Sequence, residues 1–132
     1  MAGPIPYLLF PGNAAEALAR YREIFGGDLE THSFQEFGRA DGPPDSVAHG
    51  TLAGGSVTVF AADAGADEDA LQMAGMFLAL LGAGDADTTR GWWDALSRGA
   101  RILDPLQERE WGAWDGQLVD EFGVRWLLGW EG

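Results

Sequence analysis

Residues 5–27 read Ile5-Pro-Tyr-Leu-Leu-Phe-Pro-Gly-Asn-Ala-Ala-Glu-Ala-Leu-Ala-Arg-Tyr-Arg-Glu-Ile-Phe-Gly-Gly27. The short apolar run Ile5–Phe10 suits a strand, and Pro11-Gly12 suits a turn. Beyond the turn the apolar spacing changes from strand-like to helical. Ala14, Leu18, Tyr21 and Phe25 share one stripe, with Ala17 and Ile24 beside it, while Glu16, Arg20, Arg22 and Glu23 fall elsewhere. This predicts an amphipathic helix over Ala14–Phe25. Asn13 is its expected N-cap, with Glu16 completing a capping box, and Gly26-Gly27 supplies the left-handed residue that ends it.

The same pattern returns at Met76-Phe-Leu-Ala-Leu-Leu-Gly-Ala-Gly-Asp-Ala-Asp-Thr-Thr-Arg-Gly-Trp-Trp-Asp-Ala-Leu-Ser-Arg-Gly99. An apolar strand over Gly75–Leu81 leads to a helix over Thr88–Arg98, capped by Asp85 or Asp87 and closed by Gly99. Trp92 and Leu96 give its buried stripe. In the first copy the helix is followed by strands over Leu29–Phe37, Val47–Leu52 and Val57–Phe60, the last two flanking the hairpin signal Ala53-Gly54-Gly55. In the second copy it is followed by strands over Arg101–Leu106, Trp111–Val119 and Val124–Trp130. Along the last strand Val124, Trp126, Leu128 and Trp130 share one face, and Arg125, Leu127 and Gly129 the other. The pattern is βαβββ twice. It predicts an α+β fold in which two modules, residues 5–62 and 75–130, form a cupped, mostly antiparallel sheet. The polar segment 63–74 links them, in a single domain spanning residues 1–132.

Composition removes several classes of function. The net charge is −13, from 21 acids and 8 bases, which argues against a nucleic-acid partner because binding phosphate needs Lys and Arg. All eight bases are Arg, so Schiff-base chemistry has no amine to use. There is no Cys, hence no disulfide, thiol nucleophile or thiolate metal site. No apolar run approaches the ~20 residues that cross a bilayer, and the start lacks the pattern of a secretory signal. A cytoplasmic protein without membrane attachment is expected.

The string from Tyr7 to Gly27 resembles the opening of the PhnB-like branch of the glyoxalase/bleomycin-resistance/dioxygenase (vicinal oxygen chelate) superfamily. Ala48-His49-Gly50-Thr51-Leu52 before a Gly-Gly hairpin is similar too, as are Trp92 through Gly99, and Pro105-Leu106 leading to Trp111-Gly112. The close, Asp120-Glu-Phe-Gly-Val-Arg-Trp126, resembles the family's Asp-Pro-Phe-Gly-x-x-Trp ending, with Glu121 where Pro is usual. The resemblance covers about residues 5–130. It implies the glyoxalase fold, a homodimer, and, in metal-using members, a divalent cation held by His, Glu or Gln on facing strands, where it acts as a Lewis acid.

The strands expected to supply those ligands are Ile5–Phe10, Val57–Phe60, Met76–Leu81 and Val124–Gly129. None carries a His, Asp or Glu. No metal and no cofactor are therefore expected. The hollow is read instead as aromatic, with Tyr7, Phe10, Phe60, Phe77, Trp111 and Trp126 as ligand-contacting residues. Six Trp in 132 residues favour such a cleft, since indole stacks on flat or cationic molecules. His49, mid-strand where the PhnB-like pattern often has His, is the one catalytic candidate, as general base or hydrogen-bond donor. His32 is read as a surface residue, and the two His would need a third donor such as Glu36 or Asp63 to hold an ion. The function expected is metal-independent binding of a small aromatic or cationic molecule. The alternative is an enzyme of the same superfamily with an altered active site.

Overall fold

A computed structural model describes residues 3–132. The chain divides into two compact units, Met1–Leu71 and Gln72–Gly132. In the first, β1 (Tyr7–Phe10) leads into α1 (Ala14–Phe25), followed by β2 (Asp28–Ser33), β3 (Val47–Ala53) and β4 (Val59–Asp63). The strands lie in the order β1-β4-β3-β2, with β1 parallel to β4 and the other neighbours antiparallel. In the second, β5 (Leu78–Leu81), α2 (Ala86–Leu96), β6 (Arg101–Glu108), β7 (Trp114–Val119) and β8 (Arg125–Trp130) repeat this order as β5-β8-β7-β6. The duplicated βαβββ pattern read from the sequence is thus the fold, α+β, with a separate four-stranded sheet in each module.

Each helix packs on one face of its own sheet, and a glycine marks the closest approach. A Cβ on Gly50 of β3 would stand 2.6 Å from the Leu18 side chain of α1. A Cβ on Gly116 of β7, the corresponding strand of the second unit, would stand 2.8 Å from the Trp93 ring of α2. Around these contacts the cores close. Leu8, Phe10, Leu18, Tyr21 and Leu52 are buried in the first unit, and Leu96, Leu118, Trp126 and Leu128 in the second. Each such side chain contributes roughly 1.5–3 kcal/mol by leaving water.

Several boundaries differ from the sequence reading. The strand expected over Leu29–Phe37 stops at Ser33, because a turn follows. There the Ser33 hydroxyl accepts from the Glu36 amide at 3.1 Å, and the Glu36 carboxylate accepts from the Ser33 amide at 3.1 Å. Phe34 is buried from that turn, which gave the stretch its strand-like alternation. β4 runs on to Asp63, and the Leu71 amide donates to the Leu9 carbonyl at 2.7 Å, so the segment taken as linker packs on the first unit. β6 continues past Pro105 to Glu108. It is an edge strand with register shifts on either side of Asp104, where a residue without an amide hydrogen is tolerated.

The capping of α1 is also different. Asn13 makes no side-chain capping bond, and its Oδ1 is buried without a partner. Asp63, from the far end of β4, accepts from the Ala14 amide at 2.8 Å instead, and from the Val47 amide at the start of β3 at 2.8 Å. A tertiary carboxylate has displaced the local cap. In α2 the cap is Asp85, which accepts from the Thr88 amide at 2.8 Å.

Candidate functional site

The helix covers the middle of one face of each sheet, so side chains are available for chemistry on the opposite face and beyond the helix at the sheet's end. In the first unit the register places Tyr7 beside Phe60 and Phe60 beside Thr51. It places His32 beside His49, two residues from Thr51 and therefore on that same face. Gly50, against Leu18, has the other parity.

Tyr7, His49 and Phe60 come together there. The Tyr7 ring lies 5.5 Å from the His49 ring and 6.2 Å from Phe60, and His49 lies 5.6 Å from Phe60. The Tyr7 hydroxyl and His49 Nδ1 are 2.9 Å apart. Burial, and then the Glu68 carboxylate, push the Tyr7 phenol above its ordinary value, with Arg39 opposing. The hydroxyl can donate to Nδ1 or accept from it; in the tautomer where it donates, Nε2 carries the imidazole N–H. Nε2 has no hydrogen-bond partner among the described residues. This nitrogen lies in an aromatic surround, and Tyr7 is 47% exposed.

His32 does something else. Its Nε2 lies 3.0 Å from Glu30 and its Nδ1 3.1 Å from Glu36, and its ring stacks on Phe37 at 5.4 Å. Hydrogen bonds from Glu30, and then from Glu36, push its pKa up. Flanked by a carboxylate at each nitrogen, the imidazole is favoured in its cationic form, which has no lone pair to offer an ion.

That settles how well these residues fit the divalent cation that the fold implies. The two third donors considered above are committed elsewhere, Glu36 to His32 and Asp63 to the Ala14 and Val47 amides. Among the described residues no group of three or more His, Asp or Glu is placed to hold an ion. The donor set does not fit one.

A cleft of about 640 Å³ also opens in the first unit, beside the N-terminus of α1. Phe34, Asp41, Asp45, Asp63 and Glu68 line it, and Tyr7, His49 and Phe60 do not. Arg39 spans Asp41 at 2.7 Å and Glu68 at 3.4 Å and lies over Phe34, tying the 34–46 loop to this wall.

The remaining sequence-derived site residues fare differently. Phe10 and Trp126 do not reach a cavity: Phe10 is fully buried in the first core, and Trp126 is 1% exposed in the second. The Trp126 Nε1 donates to Asp120 at 2.9 Å, so this ring is a structural anchor. Both residues have the helix-facing parity, and this removes them from the site. Phe77 is covered by the Arg125 guanidinium, 4.1 Å from its centroid. Trp111 is 73% exposed and borders a hollow of about 230 Å³ with Trp114 and Trp130. The Trp114–Trp130 pairing went unrecognised in the sequence, although the register that makes it was available from the two strands' lengths and their turn.

No helix among the described residues is long and apolar enough to cross a membrane. The sequence profile of the glyoxalase/bleomycin resistance protein/dioxygenase superfamily matches residues 5–128. The chain is 26% identical to protein YjdN of Escherichia coli over 136 aligned positions, covering 93% of this chain and 91% of that one. Among solved structures, protein PA1353 from Pseudomonas aeruginosa superposes with a TM-score of 0.81 at 29% identity, covering 99% of this chain and 98% of that one. The PhnB protein from Bacillus cereus superposes at 0.79 with 20% identity over 98% and 99% of the two chains, a likeness of fold.

Proposed function

The chain belongs to the glyoxalase/bleomycin resistance protein/dioxygenase superfamily, and on that premise we propose that it binds a small aromatic or cationic molecule on the Tyr7–His49–Phe60 face, without a metal ion. The observation that supports this is the 2.9 Å contact between the Tyr7 hydroxyl and His49 Nδ1 within a cluster of three rings, which leaves His49 Nε2 for a ligand. The ligand is a flat molecule that stacks on Tyr7 or Phe60 and presents one acceptor to His49. His49 serves as a hydrogen-bonding group, and no reaction step is assigned to it. The working form is a homodimer, which sedimentation of the purified chain checks.

All six Trp lie at or beyond Trp92, so emission from indole does not report directly on this face. The test is therefore a panel of planar cationic and neutral aromatics, read by melting temperature and by the ring resonances of His49. A member that binds should move those resonances. Tyr7→Phe, which frees Nδ1, and His49→Ala should weaken it about tenfold, as expected for a lost hydrogen bond of about 1–1.5 kcal/mol. The proposal is overturned if no member of the panel moves either readout, or if both variants bind like the parent.

A further inference from the structure

Trp114 and Trp130 are register partners in the last row of the second sheet. Their rings lie 5.5 Å apart and within 9° of parallel. The Arg90 guanidinium of α2 sits 5.0 Å from one centroid and 4.8 Å from the other. Arg90 is not among the residues that line the adjoining hollow, so it covers one side of the indole pair and the hollow opens on another.

The rim of this hollow is built rather than loose. Trp111 stands at the tip of the β6–β7 hairpin. There the Gly112 amide donates to the Arg109 carbonyl at 2.9 Å, and the Arg109 amide to the Ala113 carbonyl at 2.7 Å. Gly112 has φ +92°, a backbone that only glycine adopts readily, and this closes the turn. The Arg109 guanidinium braces the tip by pairing with Asp104 at 2.7 Å and Asp115 at 2.6 Å. A braced hairpin thus holds a 73% exposed indole at the mouth of a hollow already walled by two others.

The charge around the hollow is asymmetric. Of its two carboxylates, Asp115 is neutralised by Arg109, whereas Glu131 has no ion-pair partner among the described residues. The Arg90 cation already takes one side of the Trp114–Trp130 pair, so it is the Trp111 ring, the side of the pair that borders the hollow and the Glu131 carboxylate that would receive a further cation with an apolar shell. The volume, about 230 Å³, is below the range for drug-sized ligands and suits a compact one. We propose that the Trp111–Trp114–Trp130 hollow is a second binding site, for a small organic ammonium ion. It is independent of the first unit's aromatic face, and neither proposal needs the other.

The test is a titration of the whole chain with choline, and in parallel with the neutral alcohol in which carbon replaces choline's nitrogen, both read by Trp emission. The two probes have nearly the same shape, so their difference isolates charge. Saturable quenching by choline is expected, with the neutral alcohol at least about fivefold weaker, within the range a cation–π contact supplies. Trp111→Ala removes an exposed ring and leaves the cores alone; it should weaken choline about fivefold. Glu131→Gln should weaken it roughly threefold and flatten the salt dependence. Equal binding of the two probes, no saturation by choline, or unchanged affinity in Trp111→Ala each overturns the proposal. Tyr7 and His49 variants should leave this titration untouched, which separates it from the site on the first unit.

Discussion

Asp63→Ala should be among the most damaging single substitutions in the first unit, although the sequence alone marks Asn13 as the cap of α1. The Asp63 carboxylate is 4% exposed and accepts two backbone amides, Ala14 and Val47, each at 2.8 Å. A hydrogen bond to a charged group contributes roughly 1.5–3 kcal/mol, and its removal leaves a buried amide unpaired. The carboxylate also faces the positive end of α1, for about 0.3–1 kcal/mol more. With partial relaxation the loss is roughly 3–5 kcal/mol, against a total stability of about 5–15 kcal/mol for a domain. At a urea slope near 1.5–2 kcal/mol per molar, the midpoint should fall by about 1.5–3 M. Asp63→Asn keeps one acceptor and should lose about half as much. Asn13→Ala, which at an ordinary N-cap costs about 0.5–2 kcal/mol, should here stay within about 0.5 kcal/mol, because Oδ1 caps nothing and is buried unpaired. Far-UV circular dichroism in urea, which follows the helix and sheet of this Trp-free unit, measures all three. A larger loss in Asn13→Ala than in Asp63→Ala would refute the reasoning.

Other consequences can be measured on the same chain. Trp126→Phe deletes the 2.9 Å bond to Asp120 within the core and should lower stability by about 2–4 kcal/mol, seen as a shifted denaturation midpoint. Gly129→Ala would put a Cβ 2.3 Å from the Trp114 carbonyl, which is backbone and cannot swing aside; a loss of at least about 1–3 kcal/mol is expected. His32 should titrate above its ordinary 6.5, since hydrogen bonds to Glu30 and Glu36 favour its cation. Its folded pKa is raised, so its contribution is fully present below 6.5 and fades as pH climbs through the folded value. Proton NMR on the His32 ring should show the elevated value, and Glu36→Gln should lower it; a value at or below 6.5 in the parent would refute this.

How far the sequence could be read depended on whether a feature was local. Ala14–Phe25 is helical over the range its apolar spacing predicts, and α2 begins two residues earlier than expected, at Ala86, because Asp85 and not Asp87 caps it. The β3–β4 hairpin also followed from Gly54-Gly55, and the β7–β8 hairpin from the turn at Asp120–Gly123. Contacts between distant residues were not readable. The partner of the Ala14 amide is 49 residues away, at Asp63. The strand period sorted Trp126 with Leu128 correctly, but period two cannot say which face meets the helix when both faces carry apolar residues. For this reason the sequence alone groups Phe10 and Trp126 with Tyr7 and Phe60 as ligand contacts, although their side chains are buried on the helix side. A signal was present: a glycine inside a strand marks close approach of another element. Gly50 and Gly116 identify the helix side, and so assign His49 and Thr51 to the open face.

The two modules solve the packing problem with one device, a strand glycine beneath a helix side chain, Leu18 in one and Trp93 in the other. On the far faces, where no helix constrains volume, they diverge. One row carries Tyr7, Phe60, His49 and Thr51; the corresponding face of the other carries Arg125, Gln117 and Asp115. Relatives share this fold at 20–29% identity. Likeness of fold therefore transfers architecture, and chemistry has to be argued from the side chains that the helices leave uncovered. Here those side chains pair a phenol with an imidazole and lock a second imidazole between two carboxylates. That arrangement favours hydrogen bonding and stacking over ligation of a metal ion, which is the chemical ground for the binding proposed above.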